Sequence, residues 1–100
     1  MNFKLKKMYL EIISPEKVLF KGEITSVTAP GANGEFQMLS NHAAILSTLV
    51  KGVIKFEVSS ANTDFEAKDE SITANGNVFS LDIKGGVLEM NENKAIILPT

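Results

Sequence analysis

The sequence predicts an all-β fold, a sandwich of antiparallel strands, on two observations. First, apolar and polar side chains alternate with period two at residues 54–58, 79–83 and 88–90. This alternation is typical of a strand with one buried side and one side in water. Second, Asn75-Gly76 separates two such windows and favours a tight reversal, since both residues adopt a positive φ readily. Strands joined by short turns are therefore expected.

The first half of the chain gives strand predictions at residues 8–14, 18–20 and 23–29. Pro15 is expected to end the first of them, because proline has no N–H to donate to a neighbouring strand. Residues 43–50 fit either a helix capped by Asn41 or a strand. The strand is preferred, because the segment is shorter than the roughly 12 residues of a typical helix.

The second half is expected to form a meander. Residues 59–70 are polar and rich in small side chains, which predicts a loosely packed hairpin or loop. From Ser71 a strand would lead through the Asn-Gly turn into a second strand that ends at Lys84. A Gly-Gly turn, a strand to Met90, a further turn and a final strand at 94–98 complete the prediction.

Composition limits the function classes. The chain has 100 residues, 44% hydrophobic and 22% charged, which predicts a single domain. With the strand pattern above, we expect one β-sandwich domain over residues 1–100 with a flexible start at 1–7. There is no cysteine, so disulfides, thiolate nucleophiles and cysteine zinc sites are excluded, and a reducing compartment is permitted. A net charge of −2 gives no basic field for nucleic acid, so no nucleic-acid partner is expected.

The amino-terminal segment does not fit a targeting signal. Lys4, Lys6 and Lys7 resemble the charged start of a signal peptide, but the apolar stretch that follows is short and contains Glu11. No run approaches the roughly 18 apolar residues of a membrane helix. These observations predict a cytosolic protein.

Candidate chemistry is sparse. His42 is the only histidine, and no Gly-x-Ser-x-Gly nucleophile elbow occurs, so a hydrolase centred on it is the weaker interpretation. The acidic side chains between Asp64 and Glu70 lack EF-hand spacing and fit a solvated hairpin better. We expect no catalytic residue, no metal and no cofactor.

A glycine-rich segment follows the third predicted strand. Residues 30–35 lack the Gly-Lys-Ser/Thr ending of a P-loop and the order of a dinucleotide fingerprint. No helix clearly follows whose amino terminus could hold an anion. Two interpretations stay open: a structural turn, or a loop shaped to meet a partner.

Residues 27–46 carry a family resemblance. They contain Gly34-Glu35 followed by Asn41-His42-Ala43, an order that closely resembles the signature of the epsilon subunit of F-type ATP synthases, called delta in mitochondria. The resemblance covers about residues 9–98, and residues 59–77 are its least distinctive part.

The resemblance implies a flattened ten-stranded β-sandwich, a noncatalytic rotor subunit of the central stalk. It would link the gamma subunit to the c ring, one copy per complex, and couple proton transport to ATP synthesis or hydrolysis. It would lie at the cytoplasmic face of a bacterial inner membrane, in contact with the membrane only through the complex. Many relatives continue into a C-terminal helical hairpin, which is expected to be absent here because the chain ends at Thr100.

The resemblance also implies two contact sets. The c-ring contact would comprise Gly31, Ala32, Asn33, Gly34, Glu35, Phe36 and Gln37. The gamma contact would comprise Ser14, His42, Ala43 and Ala44.

This chain departs from the family pattern at Gln37, Ser40 and Ala44, where a glycine and two prolines are usual. A different class, a small ligand-binding or carbohydrate-binding sandwich, is the alternative. It is disfavoured because sugar recognition uses exposed aromatic faces, and the chain has no tryptophan and one tyrosine.

Overall fold

The computed structural model describes residues 8–58 and 65–100. These residues form eleven β-strands and no helix, which confirms the all-β prediction with one strand more than the ten expected. The strands are β1 (Met8–Ile13), β2 (Val18–Ile24), β3 (Ser26–Gly31), β4 (Gly34–Leu39), β5 (Ile45–Leu49), β6 (Gly52–Glu57), β7 (Phe65–Lys68), β8 (Thr73–Asn75), β9 (Val78–Ile83), β10 (Gly86–Asn91) and β11 (Lys94–Pro99). Within the described part of the chain, nothing forms a helix long and apolar enough to cross a membrane.

The strands form one hydrogen-bonded sheet that curls into two layers. The first layer has the order β7-β2-β1-β11-β10-β5, and the second contains β3, β6, β9 and β8, with β4 at the free edge of β3. The layers join where Gly31 pairs with Leu49. Among the described strands, β1 and β11 run parallel and the other pairs are antiparallel.

Four phenylalanine rings join the two layers. The Phe20 ring of β2 is fully buried, and its centroid lies 4.5 Å from that of Phe56 in β6 and 6.1 Å from that of Phe79 in β9. Phe65 of β7 completes the cluster at 5.7 Å from Phe79. Tilted and edge-to-face rings at these separations are favourable beyond the area they bury.

The predicted strand at residues 23–29 is wrong, because the chain changes layers inside it. β2 pairs with β1 up to Ile24, and β3 pairs with β6 from Ser26. Between them, the Thr25 N–H donates to the Glu57 carbonyl at 2.7 Å, so the backbone takes a partner in the other layer at this residue.

The predicted Gly-Gly hairpin is also wrong, because β9 and β10 are not neighbours. Ile83 pairs with Gly52, whereas Gly86 pairs with Leu49, so the chain crosses between layers here. Gly86 has φ 152°, and an added Cβ would lie 2.5 Å from the Leu98 carbonyl oxygen. Only glycine fits at this crossing.

The other predicted turns are confirmed. Gly76 has φ 63° between β8 and β9, and Glu92 and Asn93 have φ 51° and 61° between β10 and β11. Two consecutive positive φ values are the signature of a type I′ hairpin turn.

Within residues 43–50 the chain forms a strand, β5 (Ile45–Leu49), and the helical interpretation is wrong. Asn41 has φ 67°, which is outside the conformation of a helix cap, and its N–H donates to the Asn93 side chain. The predicted loop at residues 59–70 is wrong at residues 65–68, because Phe65 packs on the core and β7 pairs with β2. Residues 59–64 and the predicted flexible start lie outside the described residues.

A polar contact joins the β1–β2 turn to the β7–β8 turn. The Lys17 Nζ lies 2.7 Å from Asp69 Oδ1, and the Ser71 N–H and hydroxyl donate to Asp69 Oδ2 at 3.0 and 2.6 Å. Hydrogen bonds from Lys17 and Ser71 hold the pKa of the Asp69 carboxyl well below its ordinary value of 3.8.

Asp69→Asn is therefore expected to lower the thermal midpoint at pH 7. The folded-state pKa of Asp69 is depressed, so its stabilisation is complete above the ordinary pKa and is lost as pH falls through the folded-state value. Thermal unfolding of wild type and variant between pH 7 and about pH 2 should show a gap between the two midpoints that narrows as pH falls below 3.8. The exposed neighbour Glu70, changed to Gln, is the control, and a gap of the same size at pH 7 and at about pH 2 would contradict this assignment.

Candidate functional site

The predicted c-ring set, residues 31–37, lies on one hairpin. Gly31 pairs with Gly34, so the turn itself is Ala32-Asn33, and the other residues of the set belong to β3 and β4. We call residues 31–37 the hairpin tip. Residues 32–35 are exposed, whereas Phe36 is half-buried against the core and is therefore not a free apolar anchor.

Two backbone hydrogen bonds attach the hairpin tip and the adjoining Pro30 to β5 and the residue after it. The Ala32 N–H donates to the Thr48 carbonyl at 3.1 Å, and the Val50 N–H donates to the Pro30 carbonyl at 2.9 Å. A groove of about 470 Å³ separates the tip from residues 45–48 of β5. The Glu35 carboxylate is exposed and forms no ion pair with any other described residue.

His42 lies in the exposed β4–β5 loop. The His42 backbone N–H donates to the Leu39 carbonyl at 3.2 Å, and the ring Nδ1 lies 2.7 Å from the Ala43 carbonyl oxygen. No hydrogen bond or ion pair joins the imidazole to a hydroxyl or carboxylate of the described residues. The arrangement that activates a nucleophile, a base held by a third group, is therefore not assembled around His42 in this part of the chain.

The predicted gamma set is divided between the two ends of β1. Ser14 closes the β1–β2 turn, where its N–H donates to the Lys17 carbonyl at 2.9 Å. At the other end, the Tyr9 N–H donates to the Asn93 carbonyl, and Asn93 contacts the loop that carries His42. Six residues of strand span about 20 Å, so Ser14 and the His42 loop do not form one site.

An exposed apolar surface extends between these two places. On the outer side of the first layer, Val87 lies opposite Leu98, and Glu89 lies between Ile96 and Leu46. Leu46, Leu98 and Val87 are 75%, 49% and 41% exposed, and Ile96 is half-buried. We call Leu46, Val87, Glu89, Ile96 and Leu98 the outer stripe. Contiguous exposed apolar side chains mark an interaction surface.

The outer stripe has a predicted gamma residue at each end. Near Ser14, a largely apolar hollow of about 430 Å³ is bounded by Ile13, Val87 and Leu98. Near Ala44, a shallow depression of about 250 Å³ includes Leu46 and Glu89. Sequence reasoning missed this surface. The available signal was the alternation within β10, where burial of Leu88 and Met90 leaves Val87 and Glu89 facing outward.

Ion pairs and hydrogen bonds occupy the rest of the outer side of this layer. Lys94 pairs with Glu11 at 3.2 Å, and the Tyr9 hydroxyl donates to Glu66 Oε1 at 2.7 Å. Burial and this hydrogen bond raise the pKa of Tyr9 to about 12, so the phenol stays protonated at neutral pH. Lys21 Nζ lies 3.8 Å from Glu66. Glu89, in the outer stripe, has no such partner among the described residues.

No aromatic platform suited to a sugar lies on the described surface. Phe20, Phe56 and Phe79 are buried, and Phe36 and Phe65 are half-buried against the core. Tyr9 is half-buried, and its hydroxyl is bonded to Glu66. Within residues 8–58 and 65–100, no three His, Asp or Glu side chains converge on a point where they could hold a metal.

A two-layered β-sandwich with an exposed apolar stripe and an exposed hairpin turn has the features of a protein-binding module. The family model for "ATP synthase, Delta/Epsilon chain, beta-sandwich domain" matches residues 7–99. The chain belongs to this family, which confirms the resemblance noted in the sequence. It is a noncatalytic subunit of ATP synthase, of the epsilon type.

Bacterial relatives agree with the family assignment. The chain is 37% identical to the ATP synthase epsilon chain of Chlorobium limicola over 93 residues, which is 93% of this chain and 89% of that one. It is also 37% identical to the epsilon chain of Sulfurimonas denitrificans, covering 94% of this chain but 61% of the relative.

Solved structures share the fold. A chain of the Euglena gracilis mitochondrial ATP synthase (OSCP/F1/c-ring, rotational state 1) superposes with a TM-score of 0.70 at 17% identity, covering 99% of this chain and 53% of that one. A chain of the Tetrahymena thermophila central stalk and c ring gives a TM-score of 0.63 at 19% identity, covering 98% and 66%. At these identities the likeness is one of fold.

Proposed function

We propose that this chain, one β-sandwich domain over residues 1–100, links the gamma subunit to the c ring of a proton-translocating ATP synthase. It would thereby couple proton transport to ATP synthesis or hydrolysis. The observation that carries the proposal is the outer stripe, an apolar surface exposed on a closely packed body. A stable complex with gamma would cover this surface, since interfaces place apolar side chains at their buried centre.

The gamma surface in this proposal is the outer stripe together with Ser14, His42, Ala43 and Ala44. The stripe explains how two predicted contacts at opposite ends of β1 can serve one partner. A specific interface buries more than about 1,000 Å² in total, so a surface that spans the length of the layer is expected rather than a single loop.

The ring surface in this proposal is the hairpin tip, with Glu35 facing basic side chains of the c subunits. An exposed ion pair contributes only about 0.2–1 kcal/mol, so several ring contacts must act together. Gln37, which replaces the usual family glycine, is an exposed strand residue opposite Thr28. The substitution therefore needs no unusual backbone, and the tip can keep its shape.

The two surfaces share β5. Leu46 lies in the outer stripe and also lines the groove beside the hairpin tip, and Thr48 accepts a hydrogen bond from the tip. A close-packed sandwich deforms little, so it can hold two partners at a constant separation while the rotor turns. The proposal places one copy per complex at the cytoplasmic face of a bacterial inner membrane.

Reconstitution tests the proposed function. The chain is added back to an ATP synthase depleted of its epsilon subunit, and ATP hydrolysis and proton pumping are measured together. We expect the chain to restore pumping for each ATP hydrolysed. Restored assembly without restored pumping would contradict a coupling role, and a chain that fails to bind gamma would contradict the whole proposal.

Glu35→Cys is expected to cross-link to a cysteine placed in the polar loop of the c subunit. Glu35 is exposed at the start of β4, two residues after Asn33 of the turn, where a short disulfide can reach a partner loop. Non-reducing electrophoresis of the oxidised, assembled complex detects the product. Asp82→Cys, an exposed position on β9, is the matched control, and equal cross-linking from both sites would contradict the ring assignment.

A further inference from the structure

Glu89 is a carboxylate without a partner inside an apolar surface. It is exposed on β10, lies directly opposite Ile96 on one side and Leu46 on the other, and follows Val87 on the same face. Glu11 and Glu66, on the same layer, are bonded to Lys94 and to Tyr9. No ion pair or side-chain hydrogen bond of Glu89 exists among the described residues.

A partner that covers the outer stripe would take Glu89 out of water. Removing a carboxylate from water costs free energy unless a cation or hydrogen-bond donors replace the lost hydration. The described chain supplies neither, since Lys94 is already paired with Glu11. Since the described residues offer no free cation to Glu89, we expect the partner to supply the compensating group.

We infer that the element of gamma covering the outer stripe carries a lysine or arginine side chain that pairs with Glu89. This inference rests on the proposed function and adds the chemistry of the partner surface. The shallow depression beside Glu89, bounded by Ala44, Leu46 and Asn91, provides a place for that basic side chain. The apolar stem of a lysine or arginine would pack on Leu46 while its charged end reaches the carboxylate.

A second copy of this chain is a poorer occupant of the same surface. A two-fold contact buries the same patch on both copies, so it would desolvate two Glu89 carboxylates in one contact whose described residues offer neither of them a free cation. Like charges in a desolvated contact are unfavourable. The charge of the stripe therefore favours a basic partner over self-association.

The test compares Glu89→Gln and Glu89→Lys with the wild-type chain in binding to purified gamma at low and high NaCl. We expect about tenfold weaker binding for Glu89→Gln, and a larger loss for Glu89→Lys. Salt should weaken the wild-type complex more than the Glu89→Gln complex, because only the former contains the ion pair. Glu57→Gln removes an exposed carboxylate from β6 in the second layer, away from Ser14 and the outer stripe, and is expected to bind like wild type.

The outcomes separate the two proposals. Leu46→Ser tests the apolar surface alone. If Leu46→Ser binds gamma more weakly than wild type but Glu89→Gln binds as well as wild type or better, the basic side chain on gamma is refuted and the gamma surface stands. If wild type does not bind gamma, both proposals fall. A dimer of the wild-type chain in sedimentation that Glu89→Lys abolishes would assign the stripe to a second copy and would also overturn the inference.

Discussion

Phe20→Ala is expected to cost about 3–5 kcal/mol of folding stability, a loss at the upper end of what single substitutions cause. The Phe20 ring is fully buried in β2, and it contacts Phe56 and Phe79 from the opposite layer. Truncation leaves a cavity between the layers and removes the contacts by which they hold each other. Neighbouring strands cannot collapse into that space without breaking their hydrogen-bonded ladders.

Urea denaturation followed by circular dichroism measures this loss. A domain of this size has a total stability of about 5–15 kcal/mol, so the variant should lose a large fraction of it and unfold at a much lower urea concentration. Val18→Ala, in the same strand but 42% exposed, is the control and should change stability by less than about 0.5 kcal/mol. A loss below about 1 kcal/mol for Phe20→Ala would mean that the rings do not hold the layers together.

The strands that the sequence predicted best are half-buried strands with uninterrupted alternation. In β9, Phe79, Leu81 and Ile83 are all buried, as the period-two pattern required. In β10 the same holds for Leu88 and Met90. These strands keep one partner layer along their whole length, so a single phase of alternation describes them.

The main errors of the sequence-based prediction lie where the chain crosses from one layer to the other. Buried positions fall at residues 20, 22 and 24 in β2 but at residues 27, 29 and 31 in β3. The alternation slips by one residue at Thr25, where the backbone moves to the other layer. That slip was present in the sequence, but glycine and alanine at buried positions gave it little hydrophobic contrast. The crossing at Gly85-Gly86 was interpreted as a hairpin because a Gly-Gly pair suits a tight hairpin turn as well as a crossing between layers.

Of the two candidate surfaces, the sequence could predict one directly and could not predict the other. The hairpin tip is continuous in sequence, so a family resemblance could indicate it directly. The outer stripe combines β5, β10 and β11, whose contact depends on strand pairing across the sheet. In addition, Ile96 and Leu98 stand in an almost wholly apolar run, which conceals the outward-facing positions. Only the burial pattern of the folded sheet separates them from the core.

Leu46→Asp is expected to weaken binding to gamma by at least about 100-fold, which corresponds to about 2.7 kcal/mol. The Leu46 side chain is 75% exposed in the free chain, so the fold does not depend on it. In the proposed complex it is covered, and an aspartate there would be desolvated next to Glu89. Two neighbouring carboxylates would then face one basic side chain, which adds repulsion to the lost apolar contact.

Calorimetric titration of purified gamma with each variant measures this effect without the c ring. Circular dichroism and the thermal midpoint should match wild type, which assigns the lost affinity to the surface and not to unfolding. Val78→Asp, on the outer side of the second layer and 39% exposed, introduces the same charge away from the stripe and should bind normally. Unchanged affinity for Leu46→Asp would place gamma on another face of the sandwich. A loss shared equally by Val78→Asp would show that net charge, and not the apolar stripe, controls the association.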